Sequence, residues 1–284
     1  MLYNFRIRGK GVVILKKTLS NSIIFTLILS MVVILGGCSK KDAKLDQIKK
    51  NKKIVVGTSA DYPPYEFHAN INGKDTFVGF DMDIAKEISK DLGVEIEIKD
   101  MDFDGLLAAL KADKVDIVVA GMTPDDKRKQ AADFSQIYYR ATHGVVMKKG
   151  NASTVKTLED LNGKVVGVQQ GSIQADMAKE KVKSAKEIKE VPKITDLILM
   201  LQSGKVDAII MELPVAQSYT KSNSDIALTS VEVKDEQGGS AVAVKKDNPS
   251  LVKELDKTID RLNKEKKIDE FLTEANKLAE EQSK

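Results

Sequence analysis

The chain has 284 residues and a formal charge of +3, a length that suits one large or two modest domains. The charge is misleading, because residues 1–37 hold Arg6, Arg8, Lys10, Lys16 and Lys17 and no acid, and without them 40 basic residues face 42 acidic ones. No basic block interleaved with aromatics remains, which argues against a nucleic-acid partner.

Lys16-Lys17, the apolar run 23–35 and Leu35-Gly36-Gly37-Cys38 form a positive n-region, an h-region and a cleavage site, so residues 1–37 are predicted to be an export signal. The ending resembles the lipobox of bacterial lipoproteins. That resemblance implies cleavage before Cys38 and acylation of Cys38, which would anchor the chain in the cell membrane. Arg8-Gly9-Lys10-Gly11 is encodable by a purine-rich stretch like a ribosome-binding site, which raises Leu15 as an alternative start. Residues 38–52 are Lys-rich and apolar-poor and read as a flexible tether.

Residues 53–57 form a short strand, followed by the loop 58–67, which Pro63 and Pro64 bar from helix or central strand. The loop gathers aromatic and acidic groups at a strand's carboxyl end, where open α/β sheets bind ligands. A turn at 72–75 leads to an amphipathic helix over 82–92 that Gly93 ends, and 94–99 alternates as a strand. Leu106, Leu107 and Leu110 share a helical stripe, and 115–120 is a β-branched run of the buried-strand type. Thr123 suits an N-cap, Pro124 the first helical position, and Asp125 and Asp126 the positive helix end. A helix start at that point, with Arg128 one turn in, reads as a cradle for a carboxylate.

A repeat strengthens the reading. Residues 106–121, LLAALKADKVDIVVAG, align without a gap on 197–212, LILMLQSGKVDAIIME, sharing Lys-Val-Asp at 114–116 and 205–207. Two similar α/β halves are therefore expected. The second strand ends in Glu212 where the first ends in Gly121, so one half offers a cation and the other an anion. A zwitterion would match both.

GTSADYPPYEF, VGFDMDIAKEI, MDFDGLLAALKADKVDIVVAGMTPDDKR, ADFSQIYY, LEDLNGKVVGVQQGS and GKVDAIIMELPVA occur in this order. Together they resemble the polar-amino-acid-binding proteins of ABC importers over about residues 53–284. The resemblance implies the type II periplasmic-binding-protein-like fold, with two α/β lobes joined by a two-strand hinge. Residues 53–141 and 238–284 would form lobe 1 and 142–237 lobe 2, with crossings near 140–143 and 233–238. It also implies a monomer that captures an L-amino acid and presents it to permease subunits. At the site, Arg128, Thr123 and the backbone near Ser172 and Ile173 would hold the ligand carboxylate, with Met122 beside them. Glu212 and the Gly121 carbonyl would hold the ammonium, and Tyr62 and Phe103 would sandwich the side chain. Asp61, Glu66 and Gln170 would meet a distal charge. The acid that some basic-amino-acid binders carry two residues after the strand glycine is Ser59 here, which weakens an arginine or lysine assignment.

Two other functions fit the same cleft: a ligand-sensing lipoprotein, and an arogenate or prephenate dehydratase-like enzyme. His68 and His143 are the only histidines and lack metal-ligand or Ser-His spacing, so neither a cofactor nor a metal is expected.

Overall fold

The computed structural model describes residues 43–234 and 238–282. The expected signal sequence and Cys38 lie outside the described residues. Part of the expected tether does not: Ala43–Asn51 is a helix, α1, with Leu45 and Ile48 buried. Its Lys44 is only 5% exposed because the ammonium pairs with Asp113 at 2.8 Å and Asp116 at 3.1 Å. A Lys-rich stretch is thus made part of the body by one lysine that finds two carboxylates.

In chain order there follow β1 (Lys53–Thr58), β2 (Asp61–Tyr62), β3 (Glu66–Ile71), β4 (Lys74–Val78), α2 (Phe80–Leu92), β5 (Glu95–Asp100), α3 (Leu106–Lys111), β6 (Ile117–Val118), α4 (Asp126–Ala131) and β7 (Ala132–Tyr139). The chain then crosses to β8 (Thr142–Lys148), β9 (Val165–Gln169), α5 (Ile173–Lys181), β10 (Glu187–Val191), α6 (Ile194–Ser203), β11 (Ala208–Glu212), α7 (Leu213–Ser222) and β12 (Ile226–Lys234). It returns with β13 (Ser240–Lys245), α8 (Pro249–Lys264) and α9 (Lys267–Gln282).

Two five-stranded sheets form the lobes, in the orders β5-β1-β6-β13-β7 and β10-β9-β11-β8-β12. In each, three parallel strands are followed by an antiparallel one, β13 or β8, and an outer strand, β7 or β12. The repeat α3-β6 and α6-β11 occupies the same place in both, and its β-strand is the third of the parallel set. After Asp116, residues 117–120 are all apolar because both faces are covered. Ile117 and Val119 pack with Ile54, Ile84, Ile88 and Leu255, while Val118 and Ala120 pack with Leu106, Leu110 and Ala243.

The lobes are joined at 140–141, between β7 and β8, and on the return between β12 and β13. Gly239 lies there at φ +100°, and a Cβ on it would stand 2.2 Å from the Tyr139 carbonyl oxygen. Only glycine lets the two crossing segments approach this closely.

Candidate functional site

The carboxyl ends of β1, β6 and β9 and the end of β11 converge on a narrow cavity between the lobes. Lobe 1 lines it with Ser59, Tyr62, Glu66, Phe103, Ala120, Gly121, Thr123 and Arg128. Lobe 2 adds Gln169, Ser172, Ile173, Gln174 and Glu212.

Arg128 is buried, and every face of its guanidinium is oriented. Nη1 donates to the Thr123 carbonyl at 2.8 Å, and Nη2 crosses to the Gly171 carbonyl of lobe 2 at 3.0 Å. Nε lies 3.5 Å from Asp125, and the Phe103 ring stacks 5.2 Å from the guanidinium carbon. The fork is held in one orientation before anything binds to it. The helix start differs from the sequence expectation. Asp125, not Thr123, is the N-cap of α4, and its side chain accepts from the Arg128 N–H at 2.7 Å. The helix therefore begins at Asp126, two residues later than the Thr123-Pro124 pair suggests.

Ser172 caps α5, and its hydroxyl accepts from the Ala175 N–H at 3.2 Å while donating to the Gln169 carbonyl at 2.7 Å. Glu212 ends β11 opposite. Its carboxylate accepts from the Tyr65 hydroxyl of lobe 1, and its N–H donates to the Tyr62 hydroxyl at 3.3 Å. Burial, and next the Glu212 charge, push both tyrosine hydroxyls well above their usual range, so they act as neutral donors and acceptors.

A second acidic centre lies behind Tyr62. Glu66 and Asp81 are both buried and adjacent, which disfavours ionising both at once. Asp81 Oδ2 accepts from the Gly121 N–H at 2.8 Å and the Tyr138 hydroxyl at 2.7 Å. These donors favour the charge on Asp81 and leave the proton on Glu66. Burial raises both carboxyls, and the Asp81 charge raises Glu66 further.

Nine of the twelve ligand positions expected from sequence therefore line one cavity: Tyr62, Glu66, Phe103, Gly121, Thr123, Arg128, Ser172, Ile173 and Glu212. Met122 does not, being packed in the lobe 1 core with its carbonyl bound to the Ala241 N–H at 2.9 Å. Gln170 bridges to Asp104 at 2.8 Å, and Asp61 caps a helix of lobe 2 at 2.6 Å. Sequence reasoning passed over Tyr65, Asp81, Gln169 and Gln174. Only Tyr65 and Asp81 carried a signal, as an aromatic and an acid in the two motifs that flank β3 and β4.

A pair of lobes that meet over a cavity holding one guanidinium and separate carboxyls defines a clamshell binding protein for a small charged molecule. Residues 54–275 match the bacterial extracellular solute-binding proteins, family 3, and the chain belongs to that family. It is similar to the arginine-binding extracellular protein ArtP of Bacillus subtilis (strain 168), with 44% identity over 69% of this chain and 76% of that one. The L-cystine-binding protein TcyJ of Escherichia coli (strain K12) is 31% identical over 82% of this chain and 88% of that one. Among solved structures, the amino acid ABC transporter substrate-binding protein AbpA from Streptococcus pneumoniae Canada MDR_19A, bound to L-arginine, superposes with a TM-score of 0.80. That match has 37% identity and covers 82% of this chain and 98% of the other. The chain thus captures a polar or cationic amino acid outside the cytoplasm for an ABC importer, and its relatives are binding proteins rather than enzymes.

Proposed function

We propose that the captured amino acid is L-arginine. The observation that carries this reading is the charge balance of the cavity. Arg128 supplies one positive charge, Glu212 one carboxyl, and buried Glu66, with Asp81 behind it, a second acidic centre. An amino acid of net charge +1 completes that set. Its carboxylate meets Arg128 and Thr123 with the α5 start at Ser172 and Ile173, and its ammonium meets Glu212 and the Gly121 carbonyl. Its cationic end lies against the Tyr62 and Phe103 rings toward Glu66. Similarity to arginine-binding relatives supports the same choice. Because each lobe supplies part of the contact, the ligand favours the closed form by its affinity difference between the two forms.

Cys38 is proposed as the lipidated, membrane-anchoring residue of a monomer that acts at the surface of a Gram-positive type cell. Residues up to 37 are removed as its signal. In this reading Cys38→Ala releases the chain from the membrane.

The deciding experiment titrates the full chain in detergent with L-arginine, L-lysine, L-histidine, L-glutamine and L-cystine by calorimetry and thermal shift. At 100 times Kd a true ligand adds about 2.7 kcal/mol of stability. Arginine as the tightest of the five supports the assignment. Tighter binding of glutamine would replace it and make the Glu66–Asp81 pair a hydrogen-bonding site for a carboxamide.

A further inference from the structure

Asp61 lies next to the cavity but does not line it; its side chain faces the other lobe. The residue at the N-cap of α6 is Lys193, which has no side-chain oxygen to offer, and a helix start carries several unpaired N–H groups. Asp61, from lobe 1, fills that role. Its Oδ2 accepts from the Ile194 N–H at 2.6 Å. The Tyr219 hydroxyl of α7 donates to the Asp61 carbonyl at 2.8 Å. The two-residue strand β2 is therefore tied to α6 and α7, and through the Tyr62 hydroxyl to the end of β11.

We propose that Asp61 is a positioning residue for capture: a helix cap that lobe 1 supplies to lobe 2, holding the lobes shut over the cavity and setting Tyr62 against Glu212. When the lobes part, the α6 N–H groups and the carboxylate return to water, so the cap stabilises the closed form alone. Asp61 acts on the closing equilibrium and not on the choice of side chain, the opposite of the role its sequence position beside Tyr62 implies. The affinity arm of the test rests on the amino-acid reading of the site, and the distance arm does not.

Asp61→Ala and Asp61→Asn are made in the full chain, because asparagine caps a helix about as well as aspartate. In Asp61→Ala the Kd and dissociation rate of L-arginine rise about five- to tenfold, by the same factor for any second amino acid that binds. Asp61→Asn stays within about twofold of the parent. Spin labels on the two lobes, with no amino acid added, lose their short-distance population in Asp61→Ala and keep it in Asp61→Asn. A distance distribution unchanged in Asp61→Ala overturns the proposal. So does a loss of affinity confined to cationic amino acids, which would make Asp61 a direct ligand contact. If the parent binds no arginine, the ligand assignment fails while the distance arm still reads the cap.

Discussion

Asp116 and Asp207, ninety-one residues apart in the repeat, make the same hydrogen bond in their respective lobes. Asp116 Oδ2 accepts from the Val55 N–H of β1 at 2.9 Å, and Asp207 Oδ2 accepts from the Val165 N–H of β9 at 2.8 Å. Each carboxylate also sits on a residue whose own N–H donates back to that partner's carbonyl, at 2.7 Å and 2.8 Å. The shared Lys-Val-Asp is the joint between the third parallel strand and the middle one in each sheet. The two positions differ in surroundings, since Asp116 also pairs with the buried Lys44 at 3.1 Å whereas Asp207 is exposed. Asp116→Ala is therefore expected to cost about 2–3 kcal/mol by stranding the Val55 N–H and one side of a buried ammonium. Asp207→Ala is expected to cost less than about 1 kcal/mol. Urea denaturation of both variants checks the order, and equal losses would remove Lys44 from the account.

Arg128→Lys tests the cradle. A lysine keeps the charge but not the fork that reaches Thr123 and Gly171 together. Affinity for every amino acid that binds is expected to fall about 10- to 100-fold, the worth of one charge-assisted contact. Tyr62→Ala, by contrast, is expected to change which amino acid binds best. Calorimetry showing undiminished binding in the lysine variant would count against Arg128 as the carboxylate partner.

The parts of this site that were legible in sequence are those where one local rule decides. Ser172 follows a glycine after a strand and caps α5; the Lys-Val-Asp repeat marks equivalent strands; Arg128 lies one turn into a helix. The misread parts are those where distant segments compete for the same group. Thr123 and Asp125 are both capping residue types two positions apart, and it is the Asp125 side chain that reaches the Arg128 N–H. Asp61 looked like a ligand acid because it adjoins Tyr62, yet its partners are Ile194 and Tyr219, and no local pattern ties a carboxylate to a helix 133 residues away. The tether 38–52 was read from composition alone, which cannot show that Lys44 meets Asp113 and Asp116.

Three buried carboxyls make stability fall as pH rises. Burial pushes Asp61 to about 6 despite the amides it accepts from, and raises Glu66 and Asp81. A carboxyl raised in the folded state contributes stability that is complete below its unfolded pKa, about 4, and is lost as pH climbs through the folded value. The ligand-free chain is thus expected to be more resistant to urea at pH 5 than at pH 7.5. Glu66→Gln keeps a donor to Asp81, and is expected to flatten that slope and add about 1 kcal/mol at pH 7.5. Arginine affinity runs the other way, because a cation beside the pair displaces its proton and is disfavoured as pH falls. Parallel pH profiles for arginine and glutamine binding would argue against Glu66 as the cation's partner.

Gly171 separates closure from folding. It lies in lobe 2 at φ +73°, and a Cβ there would stand 2.9 Å from the Asp104 Cβ of lobe 1. Gly163 has a similar backbone, φ +77°, with nothing within 4 Å of its Cβ position. Alanine at either position carries the same left-handed strain, on the order of 1 kcal/mol of stability. Only at 171 does it also meet the opposite lobe, and only when the lobes are together. Gly171→Ala is therefore expected to weaken arginine binding about tenfold beyond any effect of Gly163→Ala, with the two variants matched in urea midpoint without ligand. Equal affinities in the two variants would mean that the approach of Gly171 to Asp104 is not part of the liganded form.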